Sequence, residues 1–140
     1  MPPDMENTYK PLGGEQSWAT QINDGGQAVG ASYTAGNAAA HAMLWTGNVA
    51  HDLGTLGGSN SYAKGINNNG QAVGNSATAG NSANHATLLM DGVVIDLNDF
   101  LDPFDRAAGW LLSDEYGGIR INDSAWIAAT AFNTPDDGRD

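Results

Sequence analysis

The 140-residue chain contains no cysteine, so neither a disulfide framework nor a thiolate metal site is available to it. Only five Lys and Arg residues stand against 16 Asp and Glu, and the formal net charge is −11. Phosphate binding needs clustered Lys and Arg, so we expect neither nucleic acid nor an anionic membrane surface as a partner. No apolar run approaches the roughly 18–20 residues of a membrane span, so we expect no membrane insertion.

Recognisable catalytic motifs are also missing. The chain has no Gly-x-Ser-x-Gly elbow and no HExxH zinc motif. The acidic run Asp96–Asp105 lacks the ligand spacing and the central glycine of an EF-hand. The first residues, Met1–Glu6, are acidic and polar, so we expect no signal peptide within this chain. Divalent cations and neutral ligands such as sugars remain compatible with this composition.

The strongest feature is a repeat: residues 17–53 and 61–97 are two copies of one unit. At a shift of 44 residues, 21 of 37 aligned positions are identical without a gap. Gly26–Gly30 falls on Gly70–Gly74, for example. A fixed period of this size indicates a repeat architecture in which each unit is one supersecondary element.

Partial copies flank the two complete ones. Leu12–Gly14 repeats at the same shift of 44, and Ile121–Ser124 matches Ile66–Asn69 at a shift of 55. The difference of 11 residues places an insertion within the stretch from Asn98 to Gly118. We therefore divide one domain into a partial unit 1–16, units 17–60 and 61–104, and a partial unit 105–140 that carries the insertion.

Each unit is expected to form four short strands. Asn67–Gly70 and Asp91-Gly92 are tight hairpin turns, because Asn and Gly favour positive φ. Gly74 inside the second strand, like Gly30 in the first copy, predicts a close backbone approach or a bulge. No segment shows helical periodicity with caps. In the second copy the strands are Tyr62–Ile66, Gln71–Gly74 and onward, Asn84–Met90 and Val93–Leu97.

The predicted fold class is all-β, built from four-stranded antiparallel units of about 44 residues, the size of a propeller blade. A β-trefoil or β-prism also uses three four-stranded units in about this length, and this alternative stays open. The insertion between Asn98 and Gly109 is the only place where a helix would be compatible with this fold class. The repeat-equivalent apolar residues predicted to be buried are Ile22, Val29, Leu44, Ile66, Val73, Leu88 and Ile121.

Three strings resemble the bacterial HAF repeats, a family of predicted extracellular proteins named for a His-Ala-Phe element. Here Met43 and Thr87 replace the Phe. The resemblance covers most of residues 9–133. It implies export and a repeat architecture, and it implies no known catalytic site. The strings are Leu53–Ala63, Gly65–Gly74 and His41–Trp45.

The histidines are the first candidates for chemistry. His41 and His85 occupy equivalent positions. Repetition argues against catalysis, which needs one site, and favours a histidine that bonds the backbone of the neighbouring unit. His51 aligns with Ile95 and is followed by Asp52, but adjacent strand residues point to opposite faces.

An Asx turn recurs in the three units after the first: Asn23-Asp24, Asn67-Asn68 and Asn122-Asp123. Such side chains usually cap their own backbone. In a ring, equivalent turns converge at one end, and their oxygens suit calcium, which takes 6–8 oxygen ligands. The candidate catalytic residues are thus His41, His85, Asp24 and Asp123, and the candidate metal ligands are Asp24, Asn68, Asp123, Asp96, Asp99 and Asp102.

The sequence favours a secreted or cell-surface β-repeat module with a binding or structural role, whose ligand is a carbohydrate or another small molecule. The alternative is a calcium-dependent hydrolase of lactones or esters, in which calcium at the converging turns polarises a carbonyl and positions water. The terminal half unit leaves a strand edge near Ala125–Phe132, and exposed edges recruit partners. We expect this edge and the segment Thr8–Leu12 to pair, either within one chain or between the chains of a homodimer.

Overall fold

The computed structural model describes residues 11–47, 49–90, 92–114 and 118–133. Within these ranges the chain is all-β, as predicted, with two four-stranded antiparallel sheets followed by shorter strand pairs. The first sheet contains β1 (Gly13–Ile22), β2 (Gln27–Thr34), β3 (Ala40–Thr46) and β4 (Val49–Gly54), and the second contains β5 (Gly57–Ile66), β6 (Ala72–Thr78), β7 (Asn84–Met90) and β8 (Val93–Asp96).

The two sheets have the same topology and the same register. Each is a meander in which neighbours in sequence are neighbours in the sheet. Ile22 pairs with Ala28 in the first sheet, and Ile66 pairs with Ala72 in the second, both 44 residues further on. Strands β1 and β5 begin four residues before the units assigned from sequence at 17 and 61.

A glycine sits opposite an irregularity in each sheet. The register of β1 and β2 shifts after Ala19, whose partner is Gly30, and β5 and β6 shift at the equivalent place. A Cβ built on Gly30 would lie 1.9 Å from the Trp18 carbonyl oxygen, and one on Gly74 would lie 1.9 Å from the Tyr62 carbonyl oxygen. Both the close approach and the bulge expected from sequence are therefore present.

The third part of the chain follows the same pairing over a shorter length. Ile121 pairs with Ile127, 55 residues beyond the pair Ile66 and Ala72. The stretch 127–133 thus takes the place of β6, although it is divided at Ala129. Its strands are β9 (Trp110–Ser113), β10 (Arg120–Ile121), β11 (Ile127–Ala128) and β12 (Thr130–Asn133), and they form the pairs β10 with β11 and β9 with β12.

The insertion contains the α-helix of the described part of the chain, α1 (Pro103–Ala107), within the segment 98–109 where a helix was compatible with the all-β prediction. Asp102 caps it by accepting a 2.8 Å hydrogen bond from the Phe104 N–H. Pro103 occupies its first turn, where a missing N–H costs nothing. Short 3-10 turns lie at Ala35–Asn37, Ala79–Asn81 and Leu97–Phe100. None of the described helices is both long and apolar enough to span a bilayer.

The core lies between successive sheets. Val29 and Ala42 of the first sheet pack with Ile66 and Leu89 of the second. Val73, Ala86 and Leu97 on the other side of the second sheet pack with Ile119 of the third part. The second sheet is therefore covered on both faces, which suits its small and β-branched residues.

The predicted buried set is correct for some members and wrong for Ile22. Val29, Ile66 and Val73 are buried, whereas Ile22 is 58% exposed. Ile22 pairs with Ala28, whose side chain points away from the face on which Val29 meets the second sheet. Its copy Ile66 meets the first sheet instead. The remaining members, Leu44, Leu88 and Ile121, are partly buried and pack at the margins of these clusters.

Two sequence-based expectations fall outside the described residues. Most of the expected strand Thr8–Leu12 is one of them, and Asp91 of the second hairpin turn is the other. Gly92 beside it has φ 75°, as this turn type requires.

Candidate functional site

The three Asx turns lie side by side and are joined by their asparagine side chains. The Asn23 Nδ2 donates to the Asn67 carbonyl oxygen at 3.0 Å, and the Asn67 Nδ2 donates to the Asn122 carbonyl oxygen at 3.0 Å. The oxygen of the asparagine side chain bonds within its own turn: the Asn67 Oδ1, for example, accepts from the Gln71 N–H at 2.9 Å. Asn23 and Asn67 therefore each cap their own turn and link it to the next one.

A second row of bonds runs through the following residues. The Asp24 N–H donates to the Asn68 Oδ1 at 2.7 Å, and the Asn68 N–H donates to the Asp123 Oδ1 at 2.8 Å. The Asn68 Nδ2 lies between two carboxylates and donates to Asp24 Oδ2 at 3.0 Å and Asp123 Oδ2 at 2.9 Å. We call these six residues the turn ladder: Asn23, Asp24, Asn67, Asn68, Asn122 and Asp123.

The ladder perturbs one titratable group. The hydrogen bond from the Asn68 backbone N–H, and then the one from its side chain, lower the pKa of Asp123 from its usual value of 3.8. Both bonds favour the ionised carboxylate, because it is a pure acceptor. Asp123 is thus an ionised acceptor for Asn68 at neutral pH.

The expected convergence of Asp24, Asn68 and Asp123 is therefore present, and their oxygens bond neighbouring turns. Across the described residues, no group of three or more His, Cys, Asp or Glu is placed to bind a metal. The other candidate ligands serve local structure. Asp96 caps Asn98 by accepting from its N–H at 2.9 Å, Asp102 caps α1, and Asp99 lies in the 3-10 turn between them.

The repeated histidines bond carboxylates of their own sheets. The His41 Nδ1 lies 2.9 Å from Asp52 Oδ2, and the His85 Nδ1 lies 2.6 Å from Asp96 Oδ2. The expectation that they bond the backbone of a neighbouring unit is wrong. Asp52 pairs with Met43 and Asp96 pairs with Thr87, so each aspartate lies opposite the residue two positions beyond the histidine, on the same face of the sheet.

His51 is the histidine that the repeat does not duplicate, and it borders the cleft between the two sheets. The cleft has a volume of about 500 Å³ and opens beside the turn ladder. Asp52 is committed to His41, so it does not orient the exposed ring of His51. The break in the repeat at position 51 was the signal that sequence offered for this site. The cleft is lined by Gln27, Leu44, Thr46, His51, Asn69 and Met90, among others.

A second cleft lies between the second sheet and the third part of the chain. It has a volume of about 480 Å³ and is mainly apolar. Phe100 and Trp126, which are 72% and 76% exposed, stand on its lining beside Leu88 and Leu97.

No family model, curated protein or solved structure matches this chain. The resemblance to the HAF repeats therefore stays a prediction from the sequence. The geometry of the ladder, the histidine pairs and the clefts is the basis for the function proposed next.

Proposed function

We propose that this chain is a propeller-like β-repeat module with a binding or structural role outside the cell. The observation that supports this most is the turn ladder. Its repeat-equivalent polar residues bond one another, as parts of a rigid scaffold do. The resemblance to the HAF repeats supports export, and the acidic composition is compatible with it.

Three features support the comparison with propeller blades. Each sheet is a four-stranded meander, and successive sheets pack face to face. The first strands of neighbouring sheets are also joined by side chains. The Thr20 Oγ1 donates to the Ala63 carbonyl oxygen at 2.8 Å, and the Gln21 Oε1 accepts from the Ile66 N–H at 2.8 Å. Adjacent inner strands around a common axis are typical of that architecture.

The binding role is assigned to the cleft beside His51. Its volume of about 500 Å³ lies within the usual range for small-molecule sites. Gln27, His51 and Asn69 supply donors and acceptors, while Leu44 and Met90 supply apolar surface. The net charge of −11 disfavours anions, so the proposed ligand is a neutral carbohydrate or a similar polar molecule.

Ligand-detected NMR with a panel of neutral mono- and disaccharides tests this assignment. We expect saturation transfer to at least one sugar, and loss of the signal in His51→Ala. The matched control is Ile95→Ala, because Ile95 holds the repeat position of His51 in the second sheet. Absence of transfer to every sugar at millimolar concentration, or an unchanged signal in His51→Ala, would contradict a binding role for this cleft.

The calcium-dependent hydrolase has less support. The Asp24 Oδ2, the Asn68 Oδ1 and both carboxylate oxygens of Asp123 already accept hydrogen bonds within the ladder, so a calcium ion would compete with these bonds. A rise in melting temperature with calcium, absent with magnesium and lost in Asp123→Asn, would favour this alternative. We expect equal and small responses to the two cations.

A further inference from the structure

We propose that a second copy of this chain extends the turn ladder head to tail. The donor end of the ladder is at Asn122-Asp123, and the acceptor end is at Asn23-Asp24. Both ends are at exposed or half-buried positions.

The donor end has unused hydrogens among the described residues. The Asn23 Nδ2 donates to the Gln27 Oε1 at 2.8 Å as well as to the next turn, and Asn67 does the same with Gln71 at 2.7 Å. At Asn122 the place of this glutamine is taken by Trp126. Within the described ranges, neither hydrogen of the Asn122 Nδ2 has a protein acceptor.

The acceptor end has unused hydrogen-bond acceptors among the described residues. The Asn67 carbonyl oxygen accepts from both the Gly70 N–H at 3.2 Å and the Asn23 Nδ2 at 3.0 Å. The Asn23 carbonyl oxygen accepts from the Gly26 N–H at 3.1 Å, and the described residues offer its second lone pair no donor. Among the described residues the Asp24 Oδ1 also has no donor, although the equivalent atom in the next turn, the Asn68 Oδ1, accepts from the Asp24 N–H.

Exposed apolar side chains accompany both ends. Ile22 beside the acceptor end is 58% exposed, whereas its copy Ile66 is 3% exposed in the contact between the sheets. At the donor end Trp126 is 76% exposed. Ala128, also exposed, stands 55 residues beyond Val73, which is fully buried. The two ends thus expose the kinds of polar and apolar groups that contact each other between successive units within the chain.

A second copy is the occupant that fits both ends. Donors are at one end and acceptors at the other, so the contact is heterologous and one chain supplies both halves. The pattern continues an interface that already occurs twice within the chain, between the first and second turns and between the second and third. An unrelated partner would match one end alone.

Sedimentation velocity at about 0.15 M salt, where charge repulsion is screened, measures the association. We expect species larger than the chain mass of 14.5 kDa at tens of micromolar, and dissociation on dilution. Ile22→Asp at the acceptor end and Asn122→Asp at the donor end should each abolish them. Asn122→Asp keeps the Oδ1 that accepts from Ser124 and Trp126, so the turn itself is preserved.

The controls match each change. The control for Ile22→Asp is Val93→Asp, because Val93 is 54% exposed, close to the 58% of Ile22, and lies on the fourth strand of its sheet, β8. Asn84→Asp adds the same charge as Asn122→Asp at an exposed amide that pairs with Ala77, at the other end of β6. Both control variants should associate like the parent.

Mixing the two interface variants separates a head-to-tail contact from a symmetric one. Ile22→Asp retains a donor end and Asn122→Asp retains an acceptor end, so the mixture should regain a two-chain species that neither variant forms alone. A parent chain that stays monomeric throughout, variants that associate normally, or a mixture that stays monomeric would each overturn the proposal.

Discussion

Ile22 and Ile66 hold the same position in the two copies of the repeat, but 58% of Ile22 is exposed and only 3% of Ile66. Ile66→Ala should therefore lower the free energy of unfolding by about 2–5 kcal/mol, since it leaves a cavity between the sheets. Ile22→Ala should change it by no more than about 0.5 kcal/mol. Urea denaturation at low protein concentration, where association contributes least, measures both. Equal losses would mean that the packing of Ile66 is wrong.

Gly74 has a steric role that Gly80 does not. A Cβ at Gly74 would lie 1.9 Å from the Tyr62 carbonyl oxygen, a backbone atom with little freedom to move, whereas one at Gly80 would meet nothing within 4 Å. Gly74→Ala should cost about 3 kcal/mol or more, at the upper end of overpacking effects. Gly80→Ala should cost about 1–2 kcal/mol, because its φ of 73° is unfavourable for a side chain. Thermal unfolding ranks the two variants, and the reverse order would contradict the bulge geometry.

Ala125 carries the left-handed conformation that glycine supplies in the other turns. Its φ is 64°, against 83° at Gly26 and 78° at Gly70. Ala125→Gly should raise the free energy of unfolding by about 1 kcal/mol, since relief of the strain exceeds the added entropy of the unfolded chain. Ala128→Gly, on the extended strand β11, is the control and should destabilise. A chemical denaturation series that shows Ala125→Gly below the parent would contradict this turn geometry.

Asp123 couples the ladder to pH. Its folded-state pKa is lowered by the Asn68 bonds, so the ionised form contributes stability that is fully present above the unfolded value near 3.8. This contribution is lost as pH falls through the lower folded pKa. Carbon-detected NMR titration should place the Asp123 midpoint below 3.8, and Asn68→Ala should return it towards that value. An unchanged midpoint in Asn68→Ala would show that these bonds do not lower the pKa.

Much of the fold follows from local sequence signals. The turn at Asn67–Gly70 and the order of four strands in each sheet depend on short-range geometry that residue type dictates, whereas β5 begins at Gly57, before the predicted Tyr62. The face that each repeat buries does not follow from such signals, because Ile22 and Ile66 hold equivalent positions before an Asx turn and yet differ in burial. Which of the two isoleucines is buried depends on which sheets lie on either side of it, and the order of the repeats along the whole chain decides that.

The site was predictable in part. The recurrence of the Asx turns predicted that Asn68 and Asp123 would come together, which the structure bears out. The recurrence did not reveal that the asparagine amide also bonds the next turn while it caps its own. Capping alone already explains an asparagine at this position. The partner of His41 depended on the pairing of Met43 with Asp52, a strand register that local sequence did not set.

The hydrogen bond between successive turns restricts the residue type of its donor but not that of its acceptor. The donor is a side-chain amide, which few residue types can supply, but the acceptor is a backbone carbonyl, which every residue has. A duplicated or deleted 44-residue segment therefore keeps this bond to its neighbours as long as it keeps its turn asparagine. Changes in copy number by unequal recombination would leave such joints intact, so the architecture tolerates growth and shortening at the level of the gene.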